Sequence, residues 1–322
     1  MAKIFSGIRP SGLLHLGNYL GAIKSWIELQ NKHDCIFAIV DYHGITTPFK
    51  PEELRKNIHE VALDYLAVGL DPKKTALIIQ SHIPEHLELG WIFQSISPVS
   101  WFERVPTYKE KIAQHPEYVN LGLLAYPALM AADILIYKTN LVPVGEDQLP
   151  HIEMTNDIAK RFNNLFGATF TPVKATLTTG ARIMSLKDPK KKMSKTGDEG
   201  IALSDTPDEV RRKFKTATTD SGHEIKAGTD KPALTNLLTI YSEVSGVPIV
   251  KLEKKYAGKG YAEFKADLAE AVVKFLAPIQ ERRQKLAKKE GLVEKILAQG
   301  ATQARPLAQK TLLDVKKKMG LT

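Results

Sequence analysis

Four short, mainly apolar segments of strand length, separated by helix-patterned segments, constrain the fold of this chain more than any other feature. They lie at 3–6, 35–40 (CIFAIV), 76–80 and 141–144. Strands that read as continuous apolar runs are covered on both faces, which is the habit of parallel sheets. Between the first two runs a helical pattern spans 17–29, with Leu20, Ile23, Ile27 and Trp26 inward. Pro51 opens a second helix whose inner stripe is Leu54, Ile58, Val61 and Tyr65 or Leu66. Strand, helix, strand, helix, strand predicts an α/β domain with a doubly wound parallel sheet.

Residues 84–137 are less regular and mostly helical, the pattern of an insertion between the two halves of such a sheet. A helix is expected over 146–165, and loop and turn over 171–205. After Pro207 the chain is all helical, with a stripe of Phe264, Leu268, Val272, Phe275 and Ile279. Gly291 and Gly300 are expected to end helices, and a last helix is expected over 303–319. Two domains follow, 1–205 and a helical 206–322, the final helix being placed to pack back on the first. A chain of 322 residues is long enough for both cores.

The net charge of +9 is confined to one end. Residues 251–322 hold 17 basic and 8 acidic side chains, whereas the first 250 balance. A neutral front and a basic helical rear suit a polyanion such as nucleic acid, or simply a solvated surface; Arg282 and Arg283 are phosphate contacts or plain surface residues on the same terms. The single cysteine, Cys35, excludes an intrachain disulfide and a thiolate-cluster zinc site. The opening MAKIFSGIRPSG lacks a signal-length apolar stretch, and the most apolar segment, 121–137, is broken by Pro127 and carries Asp133. A cytoplasmic protein without a membrane partner is expected.

Three segments carry chemistry. PSGLLHLGN at 10–18 lies between the first strand and the first helix, where open α/β sheets bind ligands. Gly17 admits a phosphate close to the backbone, and His15 and Asn18 have donors to offer it; taken alone, the two are ordinary capping residues. The spacing is neither G-x-G-x-x-G nor a Walker A loop. KKKMSKT at 190–196 is a lysine loop able to close on a triphosphate, or a solvated charge run. In 126–148, Met130, Asp133 and Tyr137 share one side of a helix, with Tyr126 a turn earlier. Asp133 inside an apolar segment demands a donor, from the protein or from a ligand N–H or O–H. Gly145, Asp147 and Gln148 follow a strand end directly.

Together, HLGN at 15–18 and KMSKT at 192–196 resemble the two signature motifs of class I aminoacyl-tRNA synthetases in order and spacing. GIRPSGLLHLGNYLGAIKSW at 7–26, YPALMAADILIY at 126–137 and VPVGEDQ at 142–148 are similar to the bacterial tryptophanyl-tRNA synthetase family. The resemblance runs almost end to end. It implies a Rossmann-like nucleotide-binding domain and a helical anticodon-binding domain. It further implies a homodimer that makes tryptophanyl-AMP from L-tryptophan, ATP and Mg2+ without zinc, then charges tRNA(Trp). By the same resemblance Asp133 accepts the indole N–H in a slot of Phe5, Met130, Val142 and Val144, lined by His43. Tyr126 and Gln148 hold the α-ammonium. ATP falls to His15, Gly17, Asn18, Gly145, Asp147, Ile183, Met193 and Ser194, and its phosphates to Lys111, Lys192 and Lys195.

Arg9 stands where many members carry glutamine near the amino-acid carboxylate; it is placed at the ATP site and is able to pair with that carboxylate. HLGN replaces TIGN, Thr196 replaces the final serine of KMSKS, and Gly44 replaces a more frequent alanine. In the implied mechanism the tryptophan carboxylate attacks the α-phosphorus in line, so positioning and charge stabilisation suffice and no general base is needed. Tyrosine activation is the nearest alternative, followed by a free-standing nucleotidyltransferase and a non-catalytic RNA-binding relative.

Overall fold

The computed structural model describes residues 1–177, 181–194 and 197–322. The chain opens with β1 (Lys3–Ile8), α1 (Leu16–Asn18), a π-helical turn (Tyr19–Ile23) and α2 (Lys24–Leu29). There follow β2 (Asp34–Ile39), α3 (Asp41–Gly44), α4 (Pro51–Val68) and β3 (Thr75–Ile79). Next come α5 (Glu85–Ile96), α6 (Val99–Glu103), α7 (Pro106–Gln114), α8 (Leu121–Leu135), β4 (Leu141–Val144), α9 (Leu149–Phe166) and β5 (Lys174–Leu177). The rest is helical: α10 (Pro207–Lys215), α11 (Pro232–Ser245), α12 (Ile249–Lys255), α13 (Tyr261–Ala287) and α14 (Leu292–Met319).

The five strands order as β3-β2-β1-β4-β5, and every pairing is parallel. The chain winds outward through β2 and β3, then returns to the other side of β1. The crevice between β1 and β4 is therefore the switch point, where the carboxyl ends of strands in open sheets receive ligands. β5 lies within the stretch expected to be loop. It is an edge strand of four residues with exposed ends, so it has no apolar run to betray it.

Apolar side chains cover both faces of the sheet, as the mainly apolar strand segments require. One core joins Ile4, Phe37 and Leu77 to Leu20, Ile23 and Trp26, where the Trp26 ring stacks on Phe37 at 4.7 Å. It continues into α10, α11 and α13 through Phe214, Leu237 and Leu268. The other core packs Phe5, Val142 and Val144 against α5, α8 and α9. At α13 the stripe holds except at Phe275, which is half-buried against Tyr19 at 5.5 Å while Leu276 fills the core.

One helix boundary differs from expectation. α8 contains Pro127 within its length, so that Tyr126, Met130 and Asp133 share one helix as expected. Gly291 parts α13 from α14 in a left-handed conformation (φ 69°), as expected, but Gly300 lies inside α14. Its lack of a side chain serves packing instead: a Cβ there would collide with the backbone carbonyl of Leu77. α14 thus crosses the edge strand β3 at Gly300. Val293, Ile296 and Leu297 before it belong to the first core, and Ala304, Ala308, Leu312 and Val315 after it to the second.

Arg283 is neither a phosphate contact nor a plain surface residue. From α13 it donates to Asp64 Oδ1 on α4 at 2.7 Å and to Glu60. Burial pushes the Asp64 carboxyl up to about 6 despite the Arg283 charge beside it.

Candidate active site

The carboxyl ends of β1, β2, β3 and β4 deliver most of the predicted residues to one side of the sheet. At the end of β1, His15 caps α1: its Nδ1 accepts from Asn18 N–H at 3.3 Å, and Asn18 Oδ1 accepts from His15 N–H at 3.2 Å. The expected capping role of both residues is thus realised. It has a chemical consequence, because an accepting Nδ1 leaves the ring proton on Nε2, a donor. His15 is buried, its backbone bridged to Ala202. Leu16 N–H donates to Ile201 carbonyl at 2.8 Å.

The first motif meets the second at Gly17. A Cβ on Gly17 would stand 3.1 Å from His15 Nδ1 and 3.3 Å from Met193 Cβ, so only glycine lets the two segments touch without a shift. Met193 and Ile183 are buried, and Met193 N–H donates to Ile183 carbonyl at 3.0 Å. Ser194 Oγ donates to Glu199. Lys192 Nζ lies 3.8 Å from Asp147 Oδ1, joining the loop to the segment after β4. Gln148 donates to Asp147 Oδ2 at 2.9 Å, and a Cβ on Gly145 would meet Asp147 Oδ1 at 2.7 Å. Lys195 lies outside the described residues.

Asp133, 1% exposed, is held by three protein donors. His86 Nδ1 and Gln80 Nε2 reach Oδ1 at 2.6 and 2.7 Å, and His43 Nε2 reaches Oδ2 at 2.8 Å. Of the two sources of a donor that the sequence left open, the protein supplies three. Burial raises the carboxyl pKa, but the bonds and charges of His43 and His86 outweigh it and hold Asp133 at about 2. The value lies below that of a free aspartate, so the folded state binds fewer protons than the unfolded chain. The associated stability is complete above about pH 4 and is lost as pH falls towards 2. Acid unfolding in that window should take up about one proton fewer in Asp133→Asn than in the parent protein; equal pH slopes by calorimetry would refute this.

Around this carboxylate the slot residues assemble. Phe5, Val142 and Val144 are buried in one core, with Tyr126 and Met130 packed on it. Phe5 stacks on Tyr137 at 5.7 Å, and the Tyr126 ring meets His43 edge-on at 6.3 Å. The Tyr126 hydroxyl lies 2.7 Å from His151 Nε2. Burial pushes Tyr126 up to about 12 and His151 down to about 4, so both are neutral near pH 7. Arg9 and Lys111 lie within electrostatic reach of each other. Burial lowers the pKa of each, and the Arg9 charge lowers that of Lys111 further. Lys111 Nζ donates to Gln114 at 2.7 Å.

Sequence reasoning passed over His86, Gln80 and His151. His86 had a usable signal: it sits three residues before Leu89, on the inner face of α5, where an unpaired imidazole is costly.

Residues 1–277 match the family described as tRNA synthetases class I (W and Y). The chain is 48% identical to the tryptophan–tRNA ligase of Wolinella succinogenes, over 99% of this chain and 98% of that protein. It is 50% identical to that of Bacillus subtilis, over 99% and 97%. The crystal structure of tryptophanyl-tRNA synthetase from Mycoplasma pneumoniae is similar with a TM-score of 0.89 at 36% identity, covering 100% of this chain and 98% of that one. The Campylobacter jejuni tryptophanyl-tRNA synthetase complexed with ADP and tryptophan gives 0.85 at 34%, covering 99% and 100%.

Proposed function

Because the chain belongs to the class I tRNA synthetases for tryptophan and tyrosine, we infer that its reaction is the ATP-dependent charging of tRNA with tryptophan. It is an enzyme, an aminoacyl-tRNA ligase that binds ATP. L-tryptophan is activated to tryptophanyl-AMP with release of pyrophosphate, and the tryptophanyl group then passes to tRNA(Trp). The observation that carries the choice of amino acid is the buried Asp133 carboxylate, held by His43, His86 and Gln80, together with the apolar core of Phe5, Val142 and Val144 on which Met130 packs.

His15, Asn18, Lys111, Lys192 and Lys195 attend the ATP phosphates in this reading, and Gly17, Gly145, Asp147, Ile183, Met193 and Ser194 the rest of the nucleotide. The contact of Gly17 with both His15 and Met193 supports one shared nucleotide site. Arg9 and Lys111 form a cationic pair whose mutual repulsion an anion relieves, which supports substrate carboxylate or phosphate between them. Tyr126 and Gln148 receive the α-ammonium, and His151 beside Tyr126, being neutral, adds no positive charge to compete with it. Mg2+ enters through the ATP phosphates, as is usual for this ion, and no zinc is required.

Residues 1–205 form the catalytic unit and 206–322 receive the anticodon, a division supported by the basic surplus in 251–322. The protein works in the cytoplasm; no helix among the described residues is long and apolar enough to cross a membrane. It works as a homodimer. Support comes from α5, where Leu87 and Trp91 are exposed one turn apart, Trp91 at 69%. Trp91→Arg should weaken dimerisation by about 30-fold or more, seen as monomer in sedimentation velocity with unchanged circular dichroism. Loss of helical signal together with the dimer, or no shift at all, would count against this face.

The decisive test is exchange of labelled pyrophosphate into ATP with tryptophan and tyrosine in parallel. Tryptophan alone should support it. Exchange with tyrosine alone would keep the mechanism and overturn the specificity.

A further inference from the structure

Asp133 has more partners than a residue waiting for one ligand needs, and their arithmetic is informative. A carboxylate offers about four acceptor positions, two on each oxygen. Oδ1 has both filled, by His86 Nδ1 at 2.6 Å and Gln80 Nε2 at 2.7 Å. Oδ2 has one filled, by His43 Nε2 at 2.8 Å. One acceptor position is left, on Oδ2, and its direction is set by whatever fixes the plane of the carboxylate.

That plane is fixed from behind. The carboxylate only accepts, so His86 Nδ1 carries a proton, and the other ring nitrogen meets the Tyr137 hydroxyl at 2.7 Å. His86 is fully buried and Tyr137 nearly so, with Tyr137 stacked on Phe5. Gln80 is locked as well, because its Oε1 accepts from Tyr42 N–H at 3.1 Å. Neither donor to Oδ1 is therefore able to turn away without losing a second hydrogen bond.

We propose that His86, backed by Tyr137, is the positioning residue that makes this site selective for an indole. By saturating Oδ1 together with Gln80 it leaves Asp133 a single acceptor on Oδ2, aimed for one N–H. The inference rests on Asp133 being the indole acceptor. An indole N–H brings one donor and no lone pair to this end of the pocket. A phenol brings a donor and also lone pairs, and the three nearby donors are already committed to the carboxylate. Its oxygen would be desolvated and only partly satisfied, the kind of mismatch that discriminates strongly.

The test compares tryptophan with β-(3-benzothienyl)alanine, in which sulfur replaces the indole N–H, by kcat/KM in pyrophosphate exchange. The parent enzyme should disfavour the analogue by about 100-fold. In His86→Leu, tryptophan should lose about 30-fold and the analogue under about 3-fold, with KM for ATP within about twofold. His86→Asn, whose side-chain amide is able to donate where Nδ1 did, should recover most of the discrimination. Tyr137→Phe removes only the backing hydroxyl and should show a smaller loss of the same pattern, which keeps the test available if His86→Leu does not fold. Equal losses for the two substrates in these variants would overturn the proposal and make His86 a packing residue. A parent enzyme indifferent to the sulfur replacement would instead overturn the Asp133 assignment, and the proposal with it.

Discussion

Asp133→Asn should lower tryptophan-dependent pyrophosphate exchange by about 10²–10³-fold while KM for ATP stays within about twofold. The amide keeps the size of the carboxylate but has only one accepting oxygen. Three donors, from His43, His86 and Gln80, now converge on it, and its NH2 must face at least one of them. A folding cost of about 1–3 kcal/mol is expected from the unpaired donors, so activity should be read at a temperature where circular dichroism shows the variant folded. Equal loss of tryptophan use and ATP binding would remove Asp133 from the amino-acid pocket. The proposed ATP contacts lie on other segments, at 15–18, 145–147 and 183–194, so the two effects should be separable.

The second large effect is expected at Lys192. Its ammonium lies 3.8 Å from Asp147, and both side chains are more than half exposed. Such a pair contributes little and yields readily to a stronger anion. A phosphate entering beside Gly17 and Met193 would offer that anion, and a charge developing on departing pyrophosphate is where a fixed cation helps most. Lys192→Ala should therefore reduce kcat for tryptophan activation by about 10²-fold with little change in KM for tryptophan. A variant with unaltered kcat and raised KM for ATP would mean that Lys192 only helps to bind ATP. Asp147→Asn should leave kcat nearly intact but raise KM for ATP, since it removes the resting partner of Lys192 and a proposed nucleotide contact.

Some of this was legible before any coordinates. The runs at 35–40 and 76–80 lie on neighbouring parallel strands, and Trp26, Val61 and Tyr65 are buried as their helical periods required. The capping geometry of His15 and Asn18 is local, three residues apart, and so belongs to what a sequence motif is able to encode. β5 was missed because an exposed edge strand of four residues carries no apolar signature. Gly300 was misread because a glycine that ends a helix and one that lets a helix lie on a strand look alike in a string of letters.

The sequence by itself determined the alternation of strands and helices through β4 and the place of the first signature segment between β1 and α1. Each depends on short-range periodicity and turn chemistry. Only the tertiary structure decided what Asp133 is bonded to. Its partners come from positions 90, 53 and 47 residues away, on α3, after β3 and on α5. Arg283 likewise finds Asp64 across 219 residues. Periodicity states that a polar side chain is buried and therefore must be paired, but the identity of the pair depends on which elements the packing brings together. That choice is made by the whole chain at once, and no local pattern records it.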